Sequence, residues 1–424
     1  MLVRFSIENY LSFKNLVVLD MQAGTIKEHT QHVYTPFFER NVKLLKGAAI
    51  YGANSMGKSN LIKAFSFMRT FVLNSSKESN TGIKIDVEPF LLSTTTEFKP
   101  SMFEVVFYLN DYRYKYGFTV SKLRVESEWL AITIKNKEES IFLRHGNDFN
   151  IEKKFKSELK SQLELLTKFT RDNSLFISIL SQFNIDIGKA IINWFDSAIV
   201  ALDTEHSYLF QTSANLFKDI KYRQLLNDII HHSGLGIESI EERLSSAAEK
   251  TGLDRSMLNA IFKREIENLT IKTRHVKYDE NNKPVDNVYF DMIQQESLGT
   301  QKYFALLGPI LIALHEKRVF FVDELDSRLH PLLFEIIVDF FNSNKYNASG
   351  AQIIFTAHDT NLLKKNLRRD QMIFVNKDEY GVTSLASLYH LKPQTRNDAS
   401  FEKDYLKGLY GAIPSIQTQQ LRLF

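Results

Sequence analysis

Hydrophobic and polar positions follow a two-residue period at the start of the chain. Residues 2–7 alternate in this way, and a second strand-like run covers 13–21. A mostly apolar run over 44–51 then leads directly into the stretch GANSMGKSN, and a helical pattern follows over 60–67. The order strand, glycine-containing loop, helix is the one that a phosphate-binding loop requires.

The period changes twice further along the chain. The stretch 103–120 is rich in β-branched and aromatic residues around the turn signal Asn110-Asp111, which predicts a hairpin in an antiparallel β-subdomain. From residue 151 apolar residues recur at three and four positions, and they do so again over 216–230. This spacing predicts a mainly helical region.

Short apolar runs return in the last third of the chain, over 319–322, 352–355 and 372–375, separated by helical patterns. This rhythm is typical of a parallel sheet in an α/β protein. The regions expected are a first lobe over 1–150 with the β-subdomain, a mainly helical insertion over 151–286, and a second lobe over 287–424.

Composition narrows the class of protein. With 44% hydrophobic and 24% charged residues, the 424-residue chain is not disordered, collagen-like or a pure coiled coil. The absence of cysteine excludes disulfide scaffolds, thiol catalysis and iron–sulfur clusters. The first residues include charges where a signal peptide is apolar, and the longest apolar run is too short for a membrane span. We therefore expect a cytoplasmic protein without a membrane partner.

A phosphate-binding motif follows the apolar run over 44–51. Gly52, Gly57, Lys58 and Ser59 satisfy G-x-x-x-x-G-K-[ST], in which backbone amides and a helix N-terminus hold phosphates. In this motif the lysine reaches the β- and γ-phosphates and the hydroxyl binds Mg²⁺. The nucleotide-binding residues expected here are Gly52, Asn54, Gly57, Lys58, Ser59 and Asn60. The alternative is a glycine turn that only starts a helix.

An acidic pair ends a later apolar run, in the stretch VFFVDE. Asp323 is the candidate second ligand of Mg²⁺, beside Ser59, and Glu324 is the candidate base that orients water. Apolar strands often end in acidic residues because they reach solvent there, so this pair alone is a weak signal. Together with the phosphate-binding motif, it indicates a nucleotide hydrolase.

Three further residues stand in a fixed order around the acidic pair. Ser297 opens a helical pattern in ESLGTQKYFALL, Asp326 follows the pair, and His358 ends the apolar run QIIFTA. The order resembles that of the ATP-binding-cassette (ABC) ATPases, with 297–301 as a relaxed signature motif that has Leu298 and Thr300 in place of glycine and glutamine. A serine that caps a helix is the alternative for Ser297.

The resemblance extends to a narrower group. FSIENYLSF near the N-terminus, the long insertion, and the stretches AHDTNLL and YLKGLYGAIP are similar to stand-alone bacterial RecF/SMC-like ATPases related to the OLD and RloA groups. Such proteins are often the ATPase half of phage-defence or abortive-infection systems, including the PARIS and Septu types, in which the other half is an effector nuclease. No Asp-x-Asp pair of an OLD-type nuclease occurs in this chain, so we expect any nuclease to be a separate protein.

The resemblance implies an ABC-type head that binds ATP and Mg²⁺ between two copies of the chain. Glu324 and His358 would be catalytic, and Ser297, Gly299 and Asp326 would act on the nucleotide of the other copy. The implied function is an ATPase that senses a phage protein and controls an effector nuclease or toxin.

Two other functions remain open from the sequence. One is a RecF-like ATPase that clamps DNA during repair. Its local support is the basic run Lys364, Lys365, Arg368 and Arg369, for which a solvated helix face is the simpler interpretation. With 53 basic and 50 acidic residues, the chain as a whole has little attraction for nucleic acid. The other is a scaffold that binds ATP and hardly hydrolyses it.

Overall fold

The computed structural model describes residues 1–77, 84–135, 137–152, 160–202, 206–244, 269–363, 367–391 and 401–410. The chain divides into two compact units. The first consists of Met1–Asp203, Ala313–Ser327 and Glu335–Phe424, and the second of Thr204–Ile312 and Arg328–Phe334.

The described helices are α1 (Lys58–Asn74), α2 (Lys160–Phe169), α3 (Phe176–Gln182), α4 (Asp186–Ser197), α5 (His206–Phe217), α6 (Ile220–His231), α7 (Leu298–Glu316), α8 (Pro331–Asn342) and α9 (Phe401–Leu406). The described strands are β1 (Leu2–Glu8), β2 (Val17–Asp20), β3 (Val33–Tyr34), β4 (Leu44–Leu45), β5 (Gly47–Tyr51), β6 (Ser101–Leu109), β7 (Tyr112–Val120), β8 (Val125–Ile134), β9 (Lys137–His145), β10 (Asp148–Ile151), β11 (Ile199–Ala201), β12 (Ser239–Leu244), β13 (Leu269–Tyr278), β14 (Pro284–Asp291), β15 (Val319–Val322), β16 (Gln352–Thr356), β17 (Met372–Lys377) and β18 (Thr383–Ser387).

Two large sheets build the first unit. One is antiparallel, in the order β10-β9-β8-β7-β6-β1-β2, and the other has the order β11-β15-β16-β5-β17-β18. In the second sheet β11, β15, β16, β5 and β17 pair in parallel, and β18 pairs antiparallel with β17. The strands predicted over 319–322, 352–355 and 372–375 are confirmed in this sheet, and the apolar run over 44–51 divides into β4, which pairs with β3, and β5, which lies in this sheet. The carboxyl ends of parallel strands meet at one edge of a sheet, where ligands bind in open α/β proteins.

Helix α1 joins the two sheets through aromatic side chains. The ring of Phe65 on α1 stacks on Phe321 of β15 at 3.9 Å, and it meets the edge of Phe5 of β1 at 5.3 Å. All three rings are fully buried. The helix that starts at the phosphate-binding loop is therefore fixed in the core by apolar contacts on both sides.

The predicted hairpin over 103–120 is confirmed as β6 and β7. Asn110 and Asp111 form the two-residue turn with φ of 48° and 66°. Both values lie in the left-handed region that asparagine and aspartate tolerate and that this class of hairpin turn requires. The strands predicted over 2–7 and 13–21 are present as β1 and β2.

The second unit combines helices with a small antiparallel sheet, β12-β13-β14. Helix α5 packs closely on α7 at Gly308. Only a glycine fits there, because a β-carbon on residue 308 would lie 2.5 Å from Ser213 Oγ. The Ser213 hydroxyl donates to the carbonyl of Ala305 and accepts from the amide of Gly308. The predicted division of the chain at residues 150 and 286 stays a prediction.

Within the described residues, no helix is long and apolar enough to cross a membrane.

Candidate functional site

The phosphate-binding loop connects β5 with α1 in the first unit. Gly52 leaves no space for a side chain, because a β-carbon there would lie 2.8 Å from the carbonyl oxygen of Val375. Gly57 caps α1 with φ of 104°, a conformation that other residues rarely adopt. The two glycines of the motif therefore have distinct roles, since one allows close packing and the other allows the turn.

Lys58 lies inside the loop, where the spacing of the motif predicts it. Its ammonium group donates to the carbonyl oxygens of Gly52 at 2.8 Å and Ala53 at 3.2 Å, and the residue is only 5% exposed. Burial lowers the pKa of Lys58, and the nearby carboxylates of Glu324 and Asp323 act in the opposite direction. The loop thus holds a buried cation where the motif predicts the β- and γ-phosphates.

Ser59 and Asp323 lie together as the sequence predicted. Ser59 Oγ donates to Asp323 Oδ1 at 3.0 Å, although one residue starts α1 and the other follows β15. Hydroxyl and carboxylate oxygens are the ligands that Mg²⁺ prefers. Within the described ranges no group of three or more His, Asp or Glu side chains can hold a metal ion. An ion at this pair would therefore take its other ligands from phosphates and water, as Mg²⁺ usually does.

Thr356, at the end of β16, connects the two acidic residues. Its hydroxyl donates to Asp323 Oδ1 at 2.7 Å and accepts from the backbone amide of Glu324 at 2.7 Å. Glu324 itself has φ of 49°, in the left-handed region. The hydrogen bond from its amide holds this unfavourable backbone conformation, which is a form of strain often found at functional sites.

Asp326 and His358 are joined through the backbone. Asp326 Oδ2 accepts from the amides of His358 at 2.7 Å and Asp359 at 2.6 Å. The His358 side chain is exposed. Asp326 therefore fixes the loop that carries His358 within the same chain.

The other predicted loop residues are also close by. Asn54 is exposed in the loop, and Asn60 Nδ2 donates to Ser12 Oγ at 2.8 Å. Ser12 accepts from the Thr383 amide through its carbonyl oxygen, and the Thr383 hydroxyl donates to the carbonyl of Met56. Ser12 and Thr383 thus brace the loop from two separate elements.

The signature residues lie in the second unit. Ser297 precedes α7, and its Oγ accepts from the Thr300 amide at 3.1 Å, so the helix-capping interpretation is correct for this hydroxyl. The Ser297 side chain is also exposed. Gly299 has no room for a β-carbon, which would lie 2.6 Å from the carbonyl oxygen of Arg328.

Sequence reasoning missed Ser12, Thr356 and Thr383. Each is a hydroxyl residue without a motif of its own, and its partner is distant in the sequence. For Thr356 the available signal was its position at the end of the apolar run 352–355, next to the strand that ends in Asp323.

Arg368 of the basic run does not lie on the exposed helix face that its spacing suggested. Arg368 is 2% exposed, pairs with Asp370 at 2.7 Å, and donates to the carbonyls of Gly24, Ile26 and Glu28. Its guanidinium group therefore satisfies internal acceptors. Lys364 and Lys365 lie outside the described residues.

A family model of known proteins matches most of the chain. The family model described as "AAA domain, putative AbiEii toxin, Type IV TA system" matches residues 48–364, a range that contains every predicted nucleotide, signature and catalytic residue. No curated protein matches the chain.

Two SMC head structures are among the solved structures with a partial similarity to this chain. One is an SMC head bound to the C-winged helix domain of ScpA, with 14% identity and a TM-score of 0.39, covering 91% of this chain and 96% of that one. The other is the SMC head domain from Thermotoga maritima, with 11% identity and a TM-score of 0.38, covering 91% and 98%.

Proposed function

Because this chain belongs to the AAA-domain family that its residues 48–364 match, we propose that it is an ABC-type ATPase that regulates an effector in a bacterial antiphage system. The observation that carries the ATPase proposal is the hydrogen-bonded group Ser59–Asp323–Thr356–Glu324 beside the phosphate-binding loop. It supports the proposal because Ser59 and Asp323, the proposed Mg²⁺ ligands, and Glu324, the proposed base, are joined in one hydrogen-bonded group that includes the neighbour of the buried Lys58.

The loop binds the phosphates of ATP through backbone amides and the ammonium group of Lys58. Gly52, Asn54, Gly57 and Asn60 shape or line the loop. Ser59 and Asp323 would hold Mg²⁺, which would supply positive charge to neutralise the phosphates.

Catalysis uses Glu324 and His358. Glu324 orients the attacking water and accepts its proton, and the exposed imidazole of His358 contacts the γ-phosphate. Asp326 keeps the His358 loop in place through the two amides that it binds. Thr356 holds the backbone of Glu324, so that the carboxylate starts from a fixed position.

Completion of the site requires a second copy of the chain. Ser297 and Gly299 of one copy act on the nucleotide bound by Lys58 and Ser59 of the other, and hydrolysis separates the copies. The exposure of the Ser297 side chain supports this proposal, because a hydroxyl that is to contact another molecule must reach the surface.

Steady-state hydrolysis of Mg-ATP tests the enzymatic part of the proposal. Glu324→Gln should lower kcat by about 100-fold or more, because general-base catalysis contributes roughly 10²–10⁴. Its affinity for ATP should stay near that of the wild type. Glu379→Gln, which changes an exposed carboxylate in the turn after β17, is the matched control. Equal kcat for Glu324→Gln and the wild type would refute the assigned base.

The cellular role is that of a cytoplasmic sensor and scaffold. In this role the ATP-bound assembly holds an effector nuclease or toxin, and a phage protein triggers its release. The AbiEii and toxin–antitoxin terms in the family description support this part of the proposal.

Phage plating on bacteria that express the chain with its neighbouring gene tests the role. Plaque numbers should fall only when both genes are present and Lys58 is intact. Equal plating with Lys58→Ala and with the wild type would contradict the link between ATP binding and defence.

The alternative of a RecF-like DNA clamp stays open, but one of the four residues of the basic run gives it no support. Arg368, which was part of the basic run, is buried and satisfied by internal acceptors.

A further inference from the structure

A short polar network fixes the residue that immediately precedes Ser297. Glu296 Oε1 lies 2.7 Å from His275 Nε2 and 2.5 Å from Thr273 Oγ1, both on strand β13 of the second unit. The side chains of Glu296 and His275 are 11% and 20% exposed. The contact is therefore mostly shielded from water, where a hydrogen bond to a charged group is stronger than at the surface.

Both ring nitrogens of His275 have a hydrogen-bond partner. Nδ1 lies 3.0 Å from the carbonyl oxygen of Gly236. Nε2 lies 2.7 Å from Glu296 Oε1 and 3.1 Å from Thr273 Oγ1. The imidazole is therefore held on both sides, and its Nε2 side contacts the turn that carries Glu296.

The rest of the turn before α7 is held by its own residues. Asp291 Oδ1 accepts from the amides of Ile293 and Gln294, at 3.0 Å each. Gln301 Nε2 donates to the carbonyl oxygens of Ile293 and Glu296. Among these contacts, those of the Glu296 carboxylate connect the turn to Thr273 and His275 of β13.

We infer that His275 and Glu296 are positioning residues for ATP hydrolysis, because their hydrogen bond sets the place of Ser297. This inference rests on the proposed action of Ser297 on the nucleotide of a second copy. Neither residue belongs to the proposed nucleotide-binding or catalytic set. They act through the backbone that joins Glu296 to Ser297, and they determine where the signature hydroxyl stands when two copies meet.

The same unit contains a matched pair without this connection. His231 Nδ1 and Glu238 Oε2 are 3.8 Å apart, and their side chains are 48% and 39% exposed. An exposed pair at this distance contributes little. His231→Ala therefore removes a histidine beside a carboxylate without affecting the turn before α7.

The test compares kcat with ATP affinity in the full-length protein. His275→Ala and Glu296→Ala should lower kcat by about 10- to 100-fold, the range expected for a lost hydrogen bond to a charged group. The Kd for Mg-ATP should change by less than about twofold, since Lys58 and Ser59 lie in the other unit. His231→Ala should keep wild-type kcat.

Conservative variants separate positioning from folding. His275→Gln retains an N–H donor for Glu296 and should recover most of the lost kcat, whereas His275→Phe should not. Equal kcat for His275→Ala and the wild type, alongside a Ser297→Ala variant that has lost activity, would overturn the inference and leave the proposed function intact. Wild-type kcat in Ser297→Ala would overturn both.

Discussion

The two motif-bearing regions of this protein are built in different ways. Around the phosphate-binding loop of the first unit, the chemical groups are buried and held by several elements, with Lys58 5% and Asp323 8% exposed. In the second unit Ser297 is exposed at the start of α7, and the neighbouring Leu298 is 58% exposed.

The difference indicates that the two regions have different roles. The first unit contains Lys58, the pair Ser59 and Asp323, and Glu324, which are the residues proposed to bind phosphates, to hold Mg²⁺ and to act as the base. The second unit contains the exposed hydroxyl of Ser297 and, two residues later, the half-buried Gly299, neither of which has evident chemistry of its own. A surface group of this kind gains a function when another molecule binds to it.

The largest predicted effect on ATP binding comes from removing the cation of the first unit. Lys58→Ala should weaken Mg-ATP binding by roughly 10- to 150-fold, because bonds to a charged donor are lost, and it should reduce hydrolysis at least as much. Isothermal titration calorimetry measures the affinity. Lys63→Ala, an exposed lysine on the same helix, is the control. Unchanged affinity in Lys58→Ala would show that the loop does not bind the phosphates.

A smaller effect is expected from the bracing of the acidic pair. Thr356→Val removes the hydroxyl that joins Asp323 to the Glu324 amide, which leaves a donor unpaired at a cost of about 1–3 kcal/mol. We expect kcat to fall by about tenfold or more, and Thr356→Ser to retain activity. Urea unfolding and steady-state kinetics measure the two effects. Wild-type values for Thr356→Val would show that the brace is dispensable.

The smallest predicted effect is a loss of stability in acid that comes from the first unit. His32 is buried, its Nδ1 bonds Gln371 Oε1 at 2.9 Å, and Gln371 in turn donates to Gly47 of β5. Burial lowers the pKa of His32 to about 4, and the hydrogen bond to Gln371 acts in the opposite direction.

The direction of this pH effect follows from the histidine pKa in the folded and in the unfolded chain. The unfolded chain, with a histidine pKa of about 6.5, takes up the proton before the folded chain does as pH falls. The stabilising effect of neutral His32 is therefore present above about pH 6.5 and is lost between that pH and about 4. Between about pH 7.5 and pH 5.5 the free energy of unfolding should fall by about 1 kcal/mol more in the wild type than in His32→Asn. Equal losses in urea titrations of the two proteins would contradict the assignment.

Local patterns predicted the elements that depend on neighbouring residues. The alternation over 2–7, the hairpin turn at Asn110-Asp111 and the apolar runs of the parallel sheet each correspond to a described strand or turn. The motif placed Lys58 and Ser59, and the end of an apolar run placed Asp323, because strand ends in a parallel sheet meet at one edge.

The contacts that the sequence did not predict join distant residues. Thr383 and Met56 are 327 positions apart, and no local period relates them. Arg368 was misread because charge and spacing alone suggested a helix surface, whereas Asp370 and three carbonyl groups satisfy it internally. The His275–Glu296 bond was missed for the same reason as Thr383, since two adjacent strands and a turn create it.

The central claim is that ATP joins two copies of the chain through Lys58 of one and Ser297 of the other. Its most direct test is the mass of Glu324→Gln in solution by light scattering, with and without Mg-ATP, beside Lys58→Ala. We predict that Mg-ATP increases the mass of Glu324→Gln to at least twice its nucleotide-free value and leaves the mass of Lys58→Ala unchanged. A constant mass of Glu324→Gln with ATP demonstrably bound would contradict nucleotide-driven assembly.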